Sequence, residues 1–280
     1  MHLTTWRNTA RRFVVDVVAR GKASSPCVVT DPWVDVEVAC GTGRALLNPA
    51  NSQLVGTARA YFPRGGPVPP APPPGVQASS TGWGGLDAGE QMLYPAQVVD
   101  GLTHMHAGRG LREALAAIPA RANGERCGIG GAVLSAPFNL GARFDVIAHS
   151  PTPFFRASGS DAEEWRLSLA ACYATSILAL AESAPLGLAR DRTAVDEYQS
   201  QSLDARQPLL VASPLLGAGA AGAPVELAAE VAVDALARLA SLELGRPLTV
   251  RLLLSEPAAL GAVETALAQE HRQRKRLFLE

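Results

Sequence analysis

The stretch that decides the fold is QPLLVASPLLGAGAAGAPVELAAEVAVDALARLASLEL, residues 207–244. Its apolar beginning predicts a buried strand over 207–216. A turn of glycine and alanine follows over 217–222. Pro224 then stands near the first turn of a predicted helix over 225–244, where its missing N–H costs little. A buried strand that leads through a short turn into a helix is typical of an α/β fold.

The same alternation extends in both directions along the chain. Apolar and β-branched runs predict further strands over 25–41, 44–54, 132–140, 143–150 and 248–256. Helices are predicted over 98–118, 161–183 and 257–275. The second of these helices would bury one stripe of side chains, namely Leu169, Cys172, Tyr173, Ser176 and Leu180. This order predicts a central, mostly parallel sheet with helices on both faces.

The chain is long and apolar enough to form one α/β domain. Its 280 residues, 48% of them apolar, are enough for one large α/β domain or two small ones, and we expect a single domain over 1–280. An N-terminal helical extension would cover 1–23, a Pro/Gly-rich loop insertion 55–97, and a second loop insertion 187–206. The Arg-rich first twenty residues also resemble an organelle transit peptide, so both interpretations of this segment stay open.

Charge and cysteine usage exclude several classes of function. The 25 Lys+Arg and 26 Asp+Glu leave a net charge of −1, which gives no field for general nucleic-acid binding. The four cysteines are far apart, so we expect no zinc finger and a reducing compartment, the cytoplasm or the nucleus. Prolines and glycines interrupt the longest uncharged run, 208–225, and we therefore predict no membrane-spanning helix.

The glycine run over 217–222 matches G-x-G-x-x-G between a strand and a helix. Small residues let backbone amides approach an anion, and the start of the helix adds positive potential, so a phosphate or diphosphate is the natural guest. Too little chain follows for a Rossmann fold, which carries this motif in its first unit. The alternative is an ordinary turn in an alanine-rich protein.

A second stretch, VVDGLTHMHAG over 98–108, combines a carboxylate with two histidines. His104 and His106 would point about 200° apart on a helix, so they cannot hold one metal ion together, and we predict no metal site. One ring would pack and the other would be partly solvated. Asp100 either caps the helix or takes part in catalysis. Asn48 and Asn51 follow a strand and suit either sugar hydroxyls or an Asx turn.

Several of these segments resemble motifs of the macro domain, the ADP-ribose-binding module. The matching segments are LLNPAN (46–51), VDGLTHMHAG (99–108), CGIGGA (127–132), FDVIAHSP (144–151), GAAGAP (219–224) and LLLSE (252–256). In the same order, the first five resemble the family motifs V-N-A-A-N, V-D-G-A-I-H-R-A-A-G of the hydrolase-type branch, C-P-T-G-E-A, V-I-H-x-V-G-P and G-I-Y-G-Y-P. The sixth resembles the last strand of the family's fold. The resemblance covers roughly residues 25–270. It implies a three-layer α/β/α sandwich with a central mixed sheet.

The resemblance also implies a role for individual residues. Asp31 would accept a hydrogen bond from the adenine amino group. Asn51 would contact the distal ribose and, as a catalytic residue, would orient the attacking water together with Asp100. Asp100 would lie beside the diphosphate and the distal ribose, where hydrolases of the family keep a carboxylate that positions or activates water. Val99 next to it would belong to the ligand-binding residues. The backbone amides that would cradle the diphosphate are those of Gly217, Ala218, Gly219, Ala220, Ala221 and Gly222.

What the resemblance implies about function is binding of ADP-ribose or a close derivative, with hydrolysis at the distal ribose. No cofactor or metal is required, and ADP-ribosylated proteins are the expected partners. The aromatic residue of G-I-Y-G-Y-P is Ala221 here, which supports binding more than hydrolysis. One alternative is a non-catalytic reader of ADP-ribosylation. Another is a phosphatase or phosphodiesterase acting on ADP-ribose 1″-phosphate or its cyclic form, with His104 or His106 as acid or base.

Overall fold

The computed structural model describes 11 segments of the chain. They are residues 3–8, 13–19, 43–57, 62–63, 92–93, 98–155, 162–182, 209–242, 244, 247–254 and 257–277. The predicted strand over 25–41, Asp31 within it and the second insertion over 187–206 lie outside the described residues.

The strands and helices alternate along these segments. The strands are β1 Leu3–Asn8, β2 Phe13–Ala19, β3 Gly43–Ala50, β4 Phe62–Pro63, β5 Met92–Leu93, β6 Val133–Ser135, β7 Val146–Pro151, β8 Leu209–Pro214 and β9 Leu248–Leu254. The helices are α1 Val99–Ala107, α2 Arg109–Ala116, α3 Ala162–Glu182, α4 Val225–Leu239 and α5 Pro257–Leu277. A short 3-10 helix spans Phe138–Leu140.

A mixed sheet of seven strands forms the centre, in the order β1-β2-β9-β8-β3-β7-β6. The inner neighbours β2, β9, β8, β3 and β7 pair in parallel, while β1 and β6 pair antiparallel at the two edges. The predicted mixed sheet is therefore confirmed. Strands β4 and β5 form a separate two-stranded sheet inside the 55–97 insertion.

Helices cover the sheet on both faces, because the buried strands are apolar on both sides. Ala45 and Leu47 of β3 belong to one core cluster with side chains of α3, α4 and α5. Leu46, which points the other way, belongs to a second cluster with Leu111 and Leu115 of α2. This arrangement confirms the three-layer sandwich. The predicted stripe of α3 is also confirmed, since all five of its side chains are buried.

The structure corrects the prediction for the N-terminus. Strands β1 and β2 stand where we expected a helix over 1–23, so the helical extension is wrong at the described residues. The sequence FVVDVVA of β2 is rich in valine, whose branched side chain favours strands. Strand β2 pairs with β9 along its whole length, from Phe13↔Leu248 to Ala19↔Leu254. A partner strand that is distant in the sequence thus decides this conformation.

The predicted helix over 98–118 is divided in two. Gly108 separates α1 from α2 with φ +82°, a conformation that L side chains rarely adopt. A Cβ at this position would also lie 2.7 Å from the side-chain nitrogen of Asn139. Among the helices of the described segments, none is long and apolar enough to cross a membrane.

Candidate functional site

The turn over 217–222 joins β8 to α4 and is held by its own backbone. Gly217 and Gly222 have φ of +86° and +76°, which glycine adopts without strain. The N–H of Ala223 donates to the carbonyl oxygen of Gly217 at 2.9 Å, and that of Gly222 donates to Gly219 at 3.0 Å. The turn is therefore closed by bonds at its far end, which leaves the middle residues available.

The middle of this turn presents backbone amides that have no acceptor in the described part of the chain. They belong to Ala218, Gly219, Ala220 and Ala221, all of which are at least partly exposed. A Cβ built at Gly219 would meet nothing within 4 Å, so no side chain fills the space there. Open amides next to a helix start are a favourable environment for an anion.

Side chains from the neighbouring elements keep the turn in place. The N–H of Leu216 donates to the hydroxyl oxygen of Tyr173 at 2.9 Å, and burial raises the pKa of that phenol. The N–H of Phe155 donates to the carbonyl oxygen of Ala221 at 2.8 Å. The ring of Trp165 packs so closely that a Cβ at Gly217 would lie 3.0 Å from it. The sequence predicted Tyr173 as a core residue but not this use of its hydroxyl.

The turn lies at the same edge of the sheet as the loop after β3. Strands β3, β7 and β8 are parallel neighbours, so their carboxyl ends meet at one edge. Ligands of parallel α/β sheets bind outside this edge. The loop over 51–57 follows β3 there, and the turn over 217–222 follows β8.

Asp100 lies in the first turn of α1 with its side chain almost covered. The residue is 6% exposed. The amide Nδ2 of Asn48 donates to its Oδ1 at 2.8 Å, and the hydroxyl of Thr57 donates to its Oδ2 at 3.3 Å. The residue before the helix is Val98, and no side chain caps it. The carboxylate therefore bonds to β3 and to the following loop, and the capping alternative for Asp100 is wrong.

Asn48 connects Asp100 to a deeper group of polar side chains. Its Nδ2 lies 3.1 Å from Nδ1 of His149 on β7, and Nε2 of His149 lies 2.8 Å from the hydroxyl of Ser135 on β6. We call Ser135, His149, Asn48 and Asp100 the buried polar chain. All four residues are at most 6% exposed. The buried polar chain runs from the edge strand β6 through β7 and β3 to α1.

Burial dominates the electrostatics of this region. It raises the pKa of Asp100, against the opposing effects of His104 and of the bonds from Asn48 and Thr57. Burial also lowers the pKa of His104. The Asp100 carboxylate opposes this effect, since its Oδ1 lies 3.6 Å from Nε2 of His104. Burial, with a smaller contribution from His104, lowers the pKa of His149 to about 3. At neutral pH His149 is therefore uncharged, and Asp100 is a weaker acid than an exposed aspartate.

Among the described residues, the side chain of Asn51 has no hydrogen bond to Asp100. The Nδ2 of Asn51 donates to the carbonyl oxygen of Gly56 at 3.0 Å, and its Oδ1 accepts from the N–H of Gln53 at 3.2 Å. These are bonds within its own loop, as the Asx-turn alternative predicted. The same loop carries Thr57, which contacts Asp100. Asn51 thus supports the residue that bonds to the carboxylate.

The two histidines of α1 have different environments, as the sequence predicted. His104 is 5% exposed and lies against Gly56, where a Cβ would come within 2.5 Å of the ring. His106 is exposed, and Val99 is buried at the start of the helix. Within the described segments, no three His, Cys, Asp or Glu residues are grouped so that they could hold a metal ion.

Sequence reasoning did not assign Thr57, Ser135 and His149 to the site. A signal for His149 was present, because it is a titratable residue in the buried strand VIAHSP. A buried polar residue requires a partner, so its position predicts a hydrogen-bonded neighbour. The partner itself could not be read from the sequence, since Asn48 is 101 residues away.

Comparison with known proteins identifies the family. The Macro domain family model matches residues 87–232, which is more than half of the chain. An Oceanobacillus iheyensis macrodomain with ADP superposes with a TM-score of 0.55 at 16% identity, covering 98% of this chain and 100% of the other.

Two further structures of the Oceanobacillus iheyensis macrodomain superpose similarly, at 16% identity and a TM-score of 0.54. The one with MES bound covers 97% of this chain and 100% of the other, and a mutant with ADPR covers 96% and 100%. No curated protein sequence matches this chain. Because the family model matches more than half of its residues, this chain belongs to the macro domain family.

Proposed function

We propose that this protein binds ADP-ribose or a close derivative and hydrolyses a bond at the distal ribose. The observation that carries the proposal is the set of backbone amides over 218–221, which have no acceptor in the described segments, beside the open space at Gly219. The Macro family model and the macrodomains with ADP and ADPR support the choice of ligand.

In this proposal the diphosphate lies on the turn over 217–222. Each hydrogen bond from an amide to a charged oxygen contributes about 1.5–3 kcal/mol, and the start of α4 adds favourable potential. Asp31 would contact the adenine, and Val99 would be a further ligand-binding residue. Asn51 would contact the distal ribose and orient the attacking water together with Asp100. The side chain of Asn51 forms hydrogen bonds within loop 51–57, so it would contact the ribose from a loop whose conformation is fixed before binding.

Asp100 would act as the general base. It would take a proton from a water molecule while the water oxygen forms a bond to the anomeric carbon of the distal ribose. The bond from that carbon to the leaving group breaks, and the leaving group keeps the electron pair. A carboxylate with a raised pKa is a better base near neutral pH than an exposed one. The bonds from Asn48 and Thr57 would hold it in one orientation.

The binding step can be tested by placing a negative charge in the turn. Gly219→Glu adds a carboxylate where the structure has open space, and Gly261→Glu adds the same group at an equally open position on α5. Repulsion of two unit charges about 6 Å apart weakens binding by roughly 1–3 kcal/mol, or about 5- to 150-fold. We expect calorimetric titration with ADP-ribose, beside AMP and NAD, to show this loss for Gly219→Glu only.

An equal effect of both substitutions, or no ADP-ribose binding by the unmodified protein, would overturn the binding proposal.

The hydrolysis step needs a separate test. Asp100→Asn should lower turnover about 10²–10⁴-fold while ADP-ribose still binds. The substrates are ADP-ribosyl protein, O-acetyl-ADP-ribose and ADP-ribose 1″-phosphate. Unchanged turnover of all three would remove Asp100 as the base.

A second candidate is a non-catalytic reader of ADP-ribosylated proteins. The nearly complete burial of Asp100 favours it, because a base must reach its water and this carboxylate is only 6% exposed. Tight binding of ADP-ribose with no turnover of any of the three substrates would select the reader.

A further inference from the structure

The buried polar chain does not end at Asn48, and its donors and acceptors can be followed from one end to the other. Asn48 places a single nitrogen, Nδ2, between Asp100 Oδ1 at 2.8 Å and His149 Nδ1 at 3.1 Å. An amide nitrogen carries two protons and accepts none. Both neighbours must therefore be acceptors.

This requirement determines the proton on His149. A ring nitrogen that accepts a hydrogen bond carries no proton, so Nδ1 is bare and a neutral ring has its proton on Nε2. The Nε2–H then donates to the hydroxyl oxygen of Ser135 at 2.8 Å. That hydroxyl donates in turn to the carbonyl oxygen of Ala136 at 3.1 Å. Every donor in the buried polar chain has one acceptor in this arrangement, whereas Oδ1 of Asn48 is buried and has no partner among the described residues.

We propose that His149 and Ser135 are positioning residues for Asp100. The neutral Nε2–H form of His149 holds the Asn48 amide so that its nitrogen faces the carboxylate. The positioning role in catalysis rests on the proposed function, whereas the assignment of the proton to Nε2 of His149 does not depend on it.

The reverse orientation of Asn48 shows why the acceptor on His149 matters. A rotated amide would place Oδ1 against the Asp100 carboxylate at about 2.8 Å, and two oxygens repel when no proton lies between them. Bulk solvent reaches neither side chain, since Asn48 and His149 are both fully buried. Removing the Nδ1 acceptor would leave one amide proton without a partner and the amide free to turn.

Other charged and titratable groups face this region. His104, on the same helix as Asp100, lies T-shaped to His149 with ring centroids 6.2 Å apart, and Arg112 acts on His104 from α2. Burial and His104 both oppose a charge on His149, which agrees with a neutral ring. The chain therefore transmits a fixed geometry rather than a charge.

The first test reads the proton positions in the unmodified full-length protein. Two-bond ¹H–¹⁵N spectra of ¹⁵N-histidine-labelled protein distinguish the two neutral forms and the charged form of each ring. We expect His149 to carry its proton on Nε2 between pH 5.5 and 8. A ring protonated on Nδ1, or charged in this range, would overturn the proposal whether or not the protein is an enzyme.

The second test asks whether His149 acts on Asp100. His149→Leu removes the acceptor for Asn48, and His149→Asn restores it because its Oδ1 takes the place of Nδ1. The ¹³C signal of the Asp100 carboxyl gives the readout as pH changes. Since the bond from Asn48 favours the carboxylate, its midpoint should rise in His149→Leu and return toward the original value in His149→Asn. An unchanged midpoint in His149→Leu would refute a positioning role.

Ser135→Ala and Ser135→Thr provide a milder pair if His149→Leu does not fold. Only the alanine variant loses the acceptor for Nε2–H, so only it should shift the Asp100 midpoint and the Nε2 signal. Equal spectra for both would also refute the role. If the unmodified protein turns over a substrate, His149→Leu should lower kcat about 10- to 100-fold with KM nearly unchanged. Absence of turnover would count against the proposed hydrolysis and not against the proton arrangement.

Discussion

Replacing Asp100 by asparagine removes a buried charge without removing the groups that bond to it. Asparagine has nearly the same shape, its oxygen can accept from Asn48, and its amide can donate to the hydroxyl oxygen of Thr57. The substitution therefore isolates the ionisation of one carboxyl. Its effect on stability should depend on pH.

The sign and size of this dependence follow from the shift in pKa. Burial raises the pKa of folded Asp100 above 3.8, its ordinary value. Between these two values the folded protein binds more protons than the unfolded chain, so the free energy of unfolding falls as pH rises. The stability that this carboxyl contributes is complete below 3.8 and is lost as pH rises toward the folded pKa. One proton corresponds to about 1.4 kcal/mol per pH unit inside that window.

The Asp100→Asn variant does not lose this stability. Its free energy of unfolding should therefore increase relative to that of the unmodified protein as pH rises. The Asp100 carboxylate also favours protonated His104, and the variant lacks this interaction. The variant is therefore destabilised at low pH, which likewise makes its relative stability increase as pH rises. The measured quantity is the difference in free energy of unfolding between the two proteins. Taking this difference cancels the contribution of His149 to the pH dependence, because both proteins contain the same buried histidine.

Urea denaturation at steps of half a pH unit from 4 to 7.5 would measure this difference. Asp234→Asn makes the same chemical change on the exposed face of α4, beside Arg238, and serves as the matched control. A difference for Asp100→Asn that stays flat or falls as pH rises would refute the reasoning. It would mean that the bonds from Asn48 and Thr57 outweigh burial.

Two substitutions test the scaffold of the turn, a third on α5 is their control, and all three are measured by urea denaturation. Gly217→Ala should lose about 1–3 kcal/mol, because alanine is strained at φ +86° and its Cβ would lie 3.0 Å from Trp165; stability equal to the original would refute this. Tyr173→Phe should lose about 1–3 kcal/mol by leaving the Leu216 N–H without a partner, and should also weaken ADP-ribose binding; unchanged stability would contradict it. Gly261→Ala, in an open helical position, should gain about 0.5–1 kcal/mol, and a loss there would show that substitution of glycine is harmful in itself.

The sequence was sufficient for elements whose pattern is local. The stripe of α3 follows from a period of 3.6 residues, and every predicted member, from Leu169 to Leu180, is buried. The turn over 217–222 was likewise predictable, since positive φ at Gly217 and Gly222 depends on the absence of a Cβ. The order of these elements predicted a mostly parallel sheet, and the resemblance to macro domains implied that it is mixed.

The N-terminus shows where local patterns fail. The segment over 1–23 has a helical pattern, yet β2 pairs with β9, more than two hundred residues away in the sequence. The hydrogen bonds and packing of a sheet depend on the partner strand, and a short segment carries little information about that partner. Gly108 similarly divides one predicted helix at a positive φ, and the Asn139 side chain of another segment lies close to it.

The sequence by itself predicted which residues would bind an anion, because open amides require only small residues between a strand and a helix. It also marked Asp100 as a carboxylate at the start of a helix. Only the tertiary structure decided what surrounds that carboxylate. Asn48 reaches both Asp100 and His149 because β3 lies beside β7 and beneath α1. Burial at this junction of distant segments sets the protonation of the groups, and burial exists only in the folded chain.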